Sequence, residues 1–256
     1  MIYLFDSSYQ GYLTCVFEAF ERKEWDIHPR KIDQPISDIF QQSRMLVTNE
    51  DKAKRILNGI ERKLGKDGLN FFYCNFLMDE PNSWHLGVQL LIQLFKEGSI
   101  NIRDFGNSKI LQIHQNLKKV SRERHRMKAF IRFVKSNDGL YTALIEPDFN
   151  VLPLILNFFK NRFADQSWLI YDLKRNYGYH FQNKTLQEVR PSLSEEIQNP
   201  YDLELNLDPR ELEFQHLWKT YFKSTNIKER KNLKLHLRHV PKRYWKYLVE
   251  KDVKAF

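Results

Sequence analysis

The sequence predicts an α+β protein: a mostly antiparallel sheet of two hairpins plus a short N-terminal strand, covered by helices and followed by a basic helical C-terminal segment. Three observations carry that expectation. Two β-rich runs, Phe130 to Val134 and Leu140 to Ile145, flank Asn137-Asp138-Gly139, where Asp and Gly accept the positive φ that tight turns require. A second pair of runs, Trp168 to Leu173 and Tyr177 to Phe181, brackets Asn176. Between the pairs, Val151 to Phe163 reads as a helix with Pro153 in its first turn, and this alternation argues against a doubly wound parallel sheet.

The chain opens with a strand over Ile2 to Phe5. Asp6, Ser7 and Ser8 then offer caps for an amphipathic helix whose apolar positions include Leu13, Val16, Phe17 and Phe20. After a loop containing Pro29 and Pro35, Met45 to Val47 reads as a second short strand. Thr48 with Asp51 resembles a capping box opening a helix to Leu64. Gly65 and Gly68 separate that helix from one ending near Met78. The next runs from Ser83 to Phe95 and stops at Gly98, and a longer one covers Ser108 to Arg126. Residues 1–190 are thus expected to form the core domain. Residues 191–209, acidic and proline-punctuated, read as a linker or surface wrap. Residues 210–256 form the basic segment, with helices over Glu211 to Lys223, Ile227 to His239 and Pro241 to Lys251.

Charge is the best clue to a partner. Between Gln215 and Lys246 the sequence carries ten basic side chains against one acid, Glu229, and between Lys118 and Lys135 it carries eight against Glu123. With a formal net charge of +9 over the whole chain, the remainder is acidic, and such segregation is the electrostatic footprint of a polyanion binder. Trp218, Tyr221, Phe222, Tyr244, Trp245 and Tyr247 are interleaved with the C-terminal charges. Either they stack on exposed bases, or they form the core face of helices whose lysines are merely solvated.

Common chemistries are excluded. Cys15 and Cys74 stand alone, so neither a disulfide framework, a zinc ribbon nor an iron–sulfur cluster is available, and no metal or cofactor is expected. No phosphate-binding glycine loop, dinucleotide fingerprint or nucleophile elbow is present. With 42% hydrophobic residues, no apolar run long enough to span a bilayer and no signal-like start, the expected location is the cytoplasm.

Two polar clusters remain. Glu123, Arg124, His125, Arg126 and Arg132 lie where the long helix meets the first hairpin. There guanidinium groups can face phosphate while an acid orients His125, or Glu123 and Arg126 form a local ion pair and His125 packs on the sheet. Arg162, Asp165, Trp168, Asp172 and Arg175 form the second cluster, which reads as a structural ion-pair network or as the setting of a catalytic Asp172. The candidate catalytic groups are Glu123, His125 and Asp172. The candidate nucleic-acid contacts are Arg124, Arg126, Arg132, Arg175, Arg230, Lys231, Lys234, Arg238, Lys242, Arg243, Tyr244 and Trp245.

Several phrases together resemble one family: Phe5-Asp6-Ser7-Ser8-Tyr9-Gln10-Gly11-Tyr12-Leu13-Thr14, Glu123-Arg124-His125-Arg126-Met127 with Phe130-Ile131-Arg132-Phe133, Glu146-Pro147-Asp148, Arg162-Phe163-Ala164-Asp165 through Trp168 to Tyr171-Asp172, and Arg230-Lys231-Asn232-Leu233-Lys234-Leu235 with Pro241-Lys242-Arg243-Tyr244-Trp245. This is the bacterial family of probable DNA-metabolism proteins built on a domain of unknown function. Its members are often encoded beside a radical-SAM protein thought to act in DNA repair or modification, and are sometimes fused to a uracil-DNA glycosylase domain. Leu233 and His236 stand where the family pattern has proline and glutamine. The likeness is to the stand-alone form, which implies that a radical-SAM or glycosylase companion is a separate polypeptide.

Three functions are therefore open. The first is a DNA-binding accessory protein that holds DNA for a partner enzyme. The second is a hydrolase acting on damaged bases, with Asp172 or Glu123 as general base, and the third is a protein-binding adaptor that uses the basic tail.

Overall fold

The computed structural model describes residues 1–33, 42–190, 208–225 and 237–251. The chain divides into two compact units, Met1–Arg122 and Glu123–Phe256. Helices and sheets are mixed in the α+β manner expected.

The first unit is built on a small parallel sheet in the order β2-β1-β3, from β1 (Ile2–Phe5), β2 (His28–Lys31) and β3 (Ser43–Met45). Strand β2 lies where the sequence suggested a loop. Pro29 is tolerated because β2 is an edge strand, pairing only with β1. Helix α1 (Tyr9–Arg22) starts at Ser8, whose hydroxyl accepts from Gly11 N, while Asp6 Oδ1 accepts from both Ser8 N and Ser8 Oγ. Helix α2 (Glu50–Phe76) is capped by Asn49, which accepts from Lys52 N. That corrects the expected Thr48 cap: an Asn side chain reaches the same orphan amides from one position later. The helix breaks at Gly65, where φ is 64° and ψ is −162°. Gly65 therefore divides it into two helical segments, as the sequence suggested. Helix α3 (Pro81–Glu97) ends at Gly98 in the left-handed region (φ 87°), and α4 (Ser108–Phe130) runs four residues beyond the expected Arg126. Within this unit Phe5, Tyr12, Phe72 and Trp84 form the aromatic core. Asn75 and Asn116 meet at Ser83, where Asn75 donates to the carbonyl at 2.6 Å and Asn116 to the hydroxyl at 3.1 Å.

The second unit carries a five-stranded sheet, β4-β5-β6-β7-β8. Its strands are β4 (Val134–Lys135), β5 (Tyr141–Ile145), β6 (Trp168–Asp172), β7 (Tyr177–Gln182) and β8 (Thr185–Val189). The pairs β4–β5, β6–β7 and β7–β8 are antiparallel, as expected of hairpins. Strands β5 and β6 are parallel, joined by the crossover helix α5 (Leu152–Arg162). The first hairpin is shorter than its sequence suggested, because residues up to Phe130 complete α4 and leave only Val134 and Lys135 to pair. Strand β8 was not foreseen: Thr185-Leu186-Gln187-Glu188-Val189 is polar, consistent with an outer strand that pairs only with β7.

Gly178 sits opposite Tyr171 in the β6–β7 register. A Cβ there would lie 2.6 Å from the Ile170 carbonyl oxygen, a backbone atom that cannot swing away. Gly178→Ala is expected to cost roughly 1–3 kcal/mol, read as a lowered thermal midpoint; an unchanged midpoint would show that the strands separate freely here.

The described residues of the second unit also include α6 (Glu211–Thr225) and two 3₁₀ turns, Lys242–Tyr247 and Val249–Lys251, with Pro241 as the cap of the first. The last of the expected C-terminal helices is thus two tight turns. Most of the predicted linker and of the Ile227 to His239 helix lies outside the described residues, as do Arg230, Lys231 and Lys234. Among the described residues no helix is long and apolar enough to cross a membrane.

Candidate nucleic-acid interface

Glu123 is the centre of the second unit's polar architecture. It lies on the inward face of α4, one turn before Met127 at helical spacing, and only 1% of its surface is exposed. A carboxylate so buried requires compensation, and both its oxygens are engaged. Tyr244 donates to Oε1 at 2.6 Å and Asp148 N donates to the same oxygen at 3.0 Å. Arg243 Nη2 donates to Oε2 at 3.0 Å, and Arg126 Nη1 lies 3.6 Å from it. Arg243 also reaches Asp148 Oδ2 at 2.7 Å and the Tyr244 hydroxyl at 2.5 Å. Burial, together with the hydrogen bond to Glu123, pushes the Tyr244 hydroxyl well above an ordinary phenol, so it remains a proton donor. Pro241-Lys242-Arg243-Tyr244 is thereby locked against the Glu146-Pro147-Asp148 turn.

A second buried carboxylate supports that turn from beneath. Asp172, at the end of β6, is fully buried and accepts from Lys174 N at 3.0 Å and from Arg175 Nη1 at 2.8 Å. Burial raises its carboxyl pKa, with Arg175 opposing. Arg175 carries the link onward, donating to the Pro147 carbonyl at 3.1 Å and the Asp148 carbonyl at 3.0 Å. Lys174 Nζ donates to that same Asp148 carbonyl at 3.1 Å.

The outcome is an open groove of about 540 Å³, lined by Glu146, Pro147, Asp148, Lys174, Lys242, Arg243 and Lys246. Four cations face two acids, and both acids are engaged: Asp148 by Arg243 and Glu146 by Lys246. Burial of Glu146 favours its neutral form, but hydrogen bonds from Lys246 and Tyr247 outweigh that and hold its carboxyl below the usual range. Lys242 is exposed and makes no ion pair among the described residues.

Helix α4 contributes a separate basic face. Its buried positions, Ile113, Asn116, Val120, Glu123 and Met127, define one side. Lys118, Lys119 and Arg122 stand exposed on the other, without ion pairs among the described residues. Arg124 and His125 are exposed as well. No hydrogen bond joins His125 to Glu123, so the structure supports neither the carboxylate-oriented histidine nor a histidine packed on the sheet.

The other sequence candidates take varied places. Glu123, Arg126, Arg243 and Tyr244 converge on one carboxylate, whereas Asp172 and Arg175 form a buried pair whose side chains are 0% and 5% exposed. Arg162 and Asp165 are both exposed and stand outside that pair. Arg132 pairs with Glu250 at 2.8 Å, and Trp245 Nε1 donates to the Val240 carbonyl at 3.0 Å. Arg238 is exposed. Sequence reasoning passed over Asp148, Glu146, Lys174 and Glu250 as site residues. Only the family resemblance, through its Glu146-Pro147-Asp148 phrase, touched the first two, and nothing local reveals that residues 123 and 243 meet.

One group among the described residues has metal-ligand chemistry: Asp26, His28 and His85 of the first unit, whose ligand atoms lie within 4.8 Å of one another. The two imidazoles are stacked at 4.0 Å with planes 7° apart. A cation in the plane of one ring would therefore sit out of the plane of the other, and the trio is not a ready chelate.

No curated protein and no solved structure matches the chain significantly. Residues 81–250, more than half of the chain, match the family described as a domain of unknown function, DUF4130, and the chain belongs to that family.

Proposed function

We propose that this protein binds nucleic acid as an accessory factor in DNA repair or modification, holding DNA for a partner enzyme of the radical-SAM or glycosylase type. The observation that carries the reading is the supply of cations that no acid among the described residues neutralises. Lys118, Lys119 and Arg122 stand along one face of α4, and Lys242 stands at the open groove. The three charges along α4 suit the regular charge of a phosphate backbone, which binds by releasing counterions.

The buried carboxylates favour this over a hydrolase. Glu123 and Asp172 are each held by a guanidinium and by backbone amide donors, so their lone pairs are committed to holding the groove together. Neither faces an open site with a free lone pair for activating water.

Replacing Lys118, Lys119 and Arg122 together with alanine removes charge without touching the core. On duplex DNA the slope of log affinity against log salt is expected to flatten by up to about 2.7, at roughly 0.9 for each phosphate no longer neutralised. Anisotropy titrations over a salt series read this directly, and an unchanged slope would remove the α4 face from the interface. Conversion of the oligonucleotide by the protein alone would favour the hydrolase reading.

A further inference from the structure

We infer that the second unit also contains a pocket for a single unstacked nucleobase, built between α6 and the β4–β5 hairpin. The inference rests on the nucleic-acid reading and narrows it to single-stranded or locally opened DNA. Helix α6 presents Phe214, Trp218 and Tyr221, at i, i+4 and i+7, with exposures of 60%, 41% and 59%. A helix face turned to water is normally polar, so a contiguous aromatic stripe there marks a binding surface. Beside it lies a cavity of about 720 Å³, lined by Phe133, Tyr141, Phe214, Trp218 and Arg132 among others, within the usual size of small-ligand sites.

The cavity wall is preorganised. Glu250 accepts from Arg132 Nη2 at 2.8 Å through one oxygen and from Trp218 Nε1 at 2.9 Å through the other. Burial alone would raise the Glu250 carboxyl, but these hydrogen bonds hold it below the ordinary range, so the clamp is ionised at neutral pH. The Arg132 guanidinium stands 5.7 Å from the centre of the Trp218 ring. Its Nε is buried with no acceptor among the described residues, a donor that a base carbonyl or ring nitrogen can satisfy.

Charge separates a base from other occupants. Around the cavity Arg132, Lys135 and Arg210 are matched by Glu250, Asp208 and Glu211, with Lys135 paired to Asp208 at 3.0 Å. The pocket is therefore near neutral and binds by stacking, whereas phosphates are held by the cationic groove of the same unit. The two are adjacent in the chain: Lys246 lines the groove, and Val249, three residues on, lines the cavity.

The test compares wild type, Trp218→Ala and Trp218→Phe, by anisotropy over a salt series, on a labelled oligothymidylate and on its duplex with oligoadenylate. Circular dichroism melting confirms that each variant is folded. Wild type is expected to prefer the single strand. Trp218→Ala should lose about ten- to a hundred-fold on that strand with an unchanged salt slope and unchanged duplex binding, and Trp218→Phe should keep most of the affinity because a stacking ring remains. Single-strand affinity untouched by Trp218→Ala, or duplex bound as tightly as single strand by wild type, overturns the pocket while leaving the DNA reading intact, and assigns the aromatic face to a protein partner. No binding of wild type to either oligonucleotide at low salt overturns both.

Discussion

Asp172→Ala is expected to destabilise the second unit by about 3–5 kcal/mol, because it removes the buried carboxylate paired with the Arg175 guanidinium. The pair is almost wholly removed from water, with side-chain exposures of 0% and 5% and a separation of 2.8 Å. The consequence is not confined to β6. Arg175 holds the carbonyls of Pro147 and Asp148, so losing its anchor should loosen the turn that shapes the groove. Urea unfolding gives the stability loss, and hydrogen exchange of the residue 146–150 amides gives the loosening. Replacing both partners by apolar residues should cost less than Asp172→Ala alone. If the single variant unfolds at the wild-type urea midpoint, the ion pair does not support the fold.

Glu123→Ala should be comparably severe, at about 3–5 kcal/mol, by the same route. Here the carboxylate is lost and its donors remain: Tyr244, Arg243 and the Asp148 amide all lose an acceptor. Tyr244→Phe removes the hydroxyl's hydrogen bond to Glu123 and the one it accepts from Arg243, leaves the carboxylate in place, and should cost roughly 1–2 kcal/mol. The comparison tests the docking of the first 3₁₀ turn, whose susceptibility to limited proteolysis should rise sharply in Glu123→Ala and little in Tyr244→Phe. Equal losses in the two variants would show that Arg243 and the Asp148 amide add nothing.

Much of this fold is written locally. Asn137-Asp138-Gly139 marks its turn because Gly139 takes φ 86°, a value that few residues adopt without cost, and Gly98 ends α3 for the same reason. Strand β2 escaped notice because His28-Pro29-Arg30-Lys31 has neither alternation nor β-branched residues; its place is set by pairing with Ile2 to Phe5. The parallel β5–β6 pair is likewise invisible to a window that sees one hairpin at a time.

The site was legible as a list of residues but not as an arrangement. Glu123 and Arg126, one helical turn apart, were foreseen as a pair, and they do approach at 3.6 Å. The closer partner of Glu123 is Arg243, which no periodicity connects to it. Composition also overstated the free charge of the tail, since Arg243 is engaged by two internal acids, and Tyr244 is a buried donor and not a stacking ring.

The pairing of Glu123 with Arg243 and Tyr244 also governs how the chain acquires its structure. These partners lie 120 and 121 residues apart in sequence, and Arg132 and Glu250 lie 118 apart. During synthesis at about 5–20 residues per second, the α4 carboxylate is made well before the arginine and tyrosine that neutralise and cap it. Until those residues leave the ribosome, the second unit can assemble its sheet but leaves Glu123 without two of the donors that compensate its burial. Loop closure over such a span makes completion of this unit slow relative to its local helices and hairpins. The C-terminal turns are in this sense the latch of the second unit's core, and the groove they line is complete only after that core has closed.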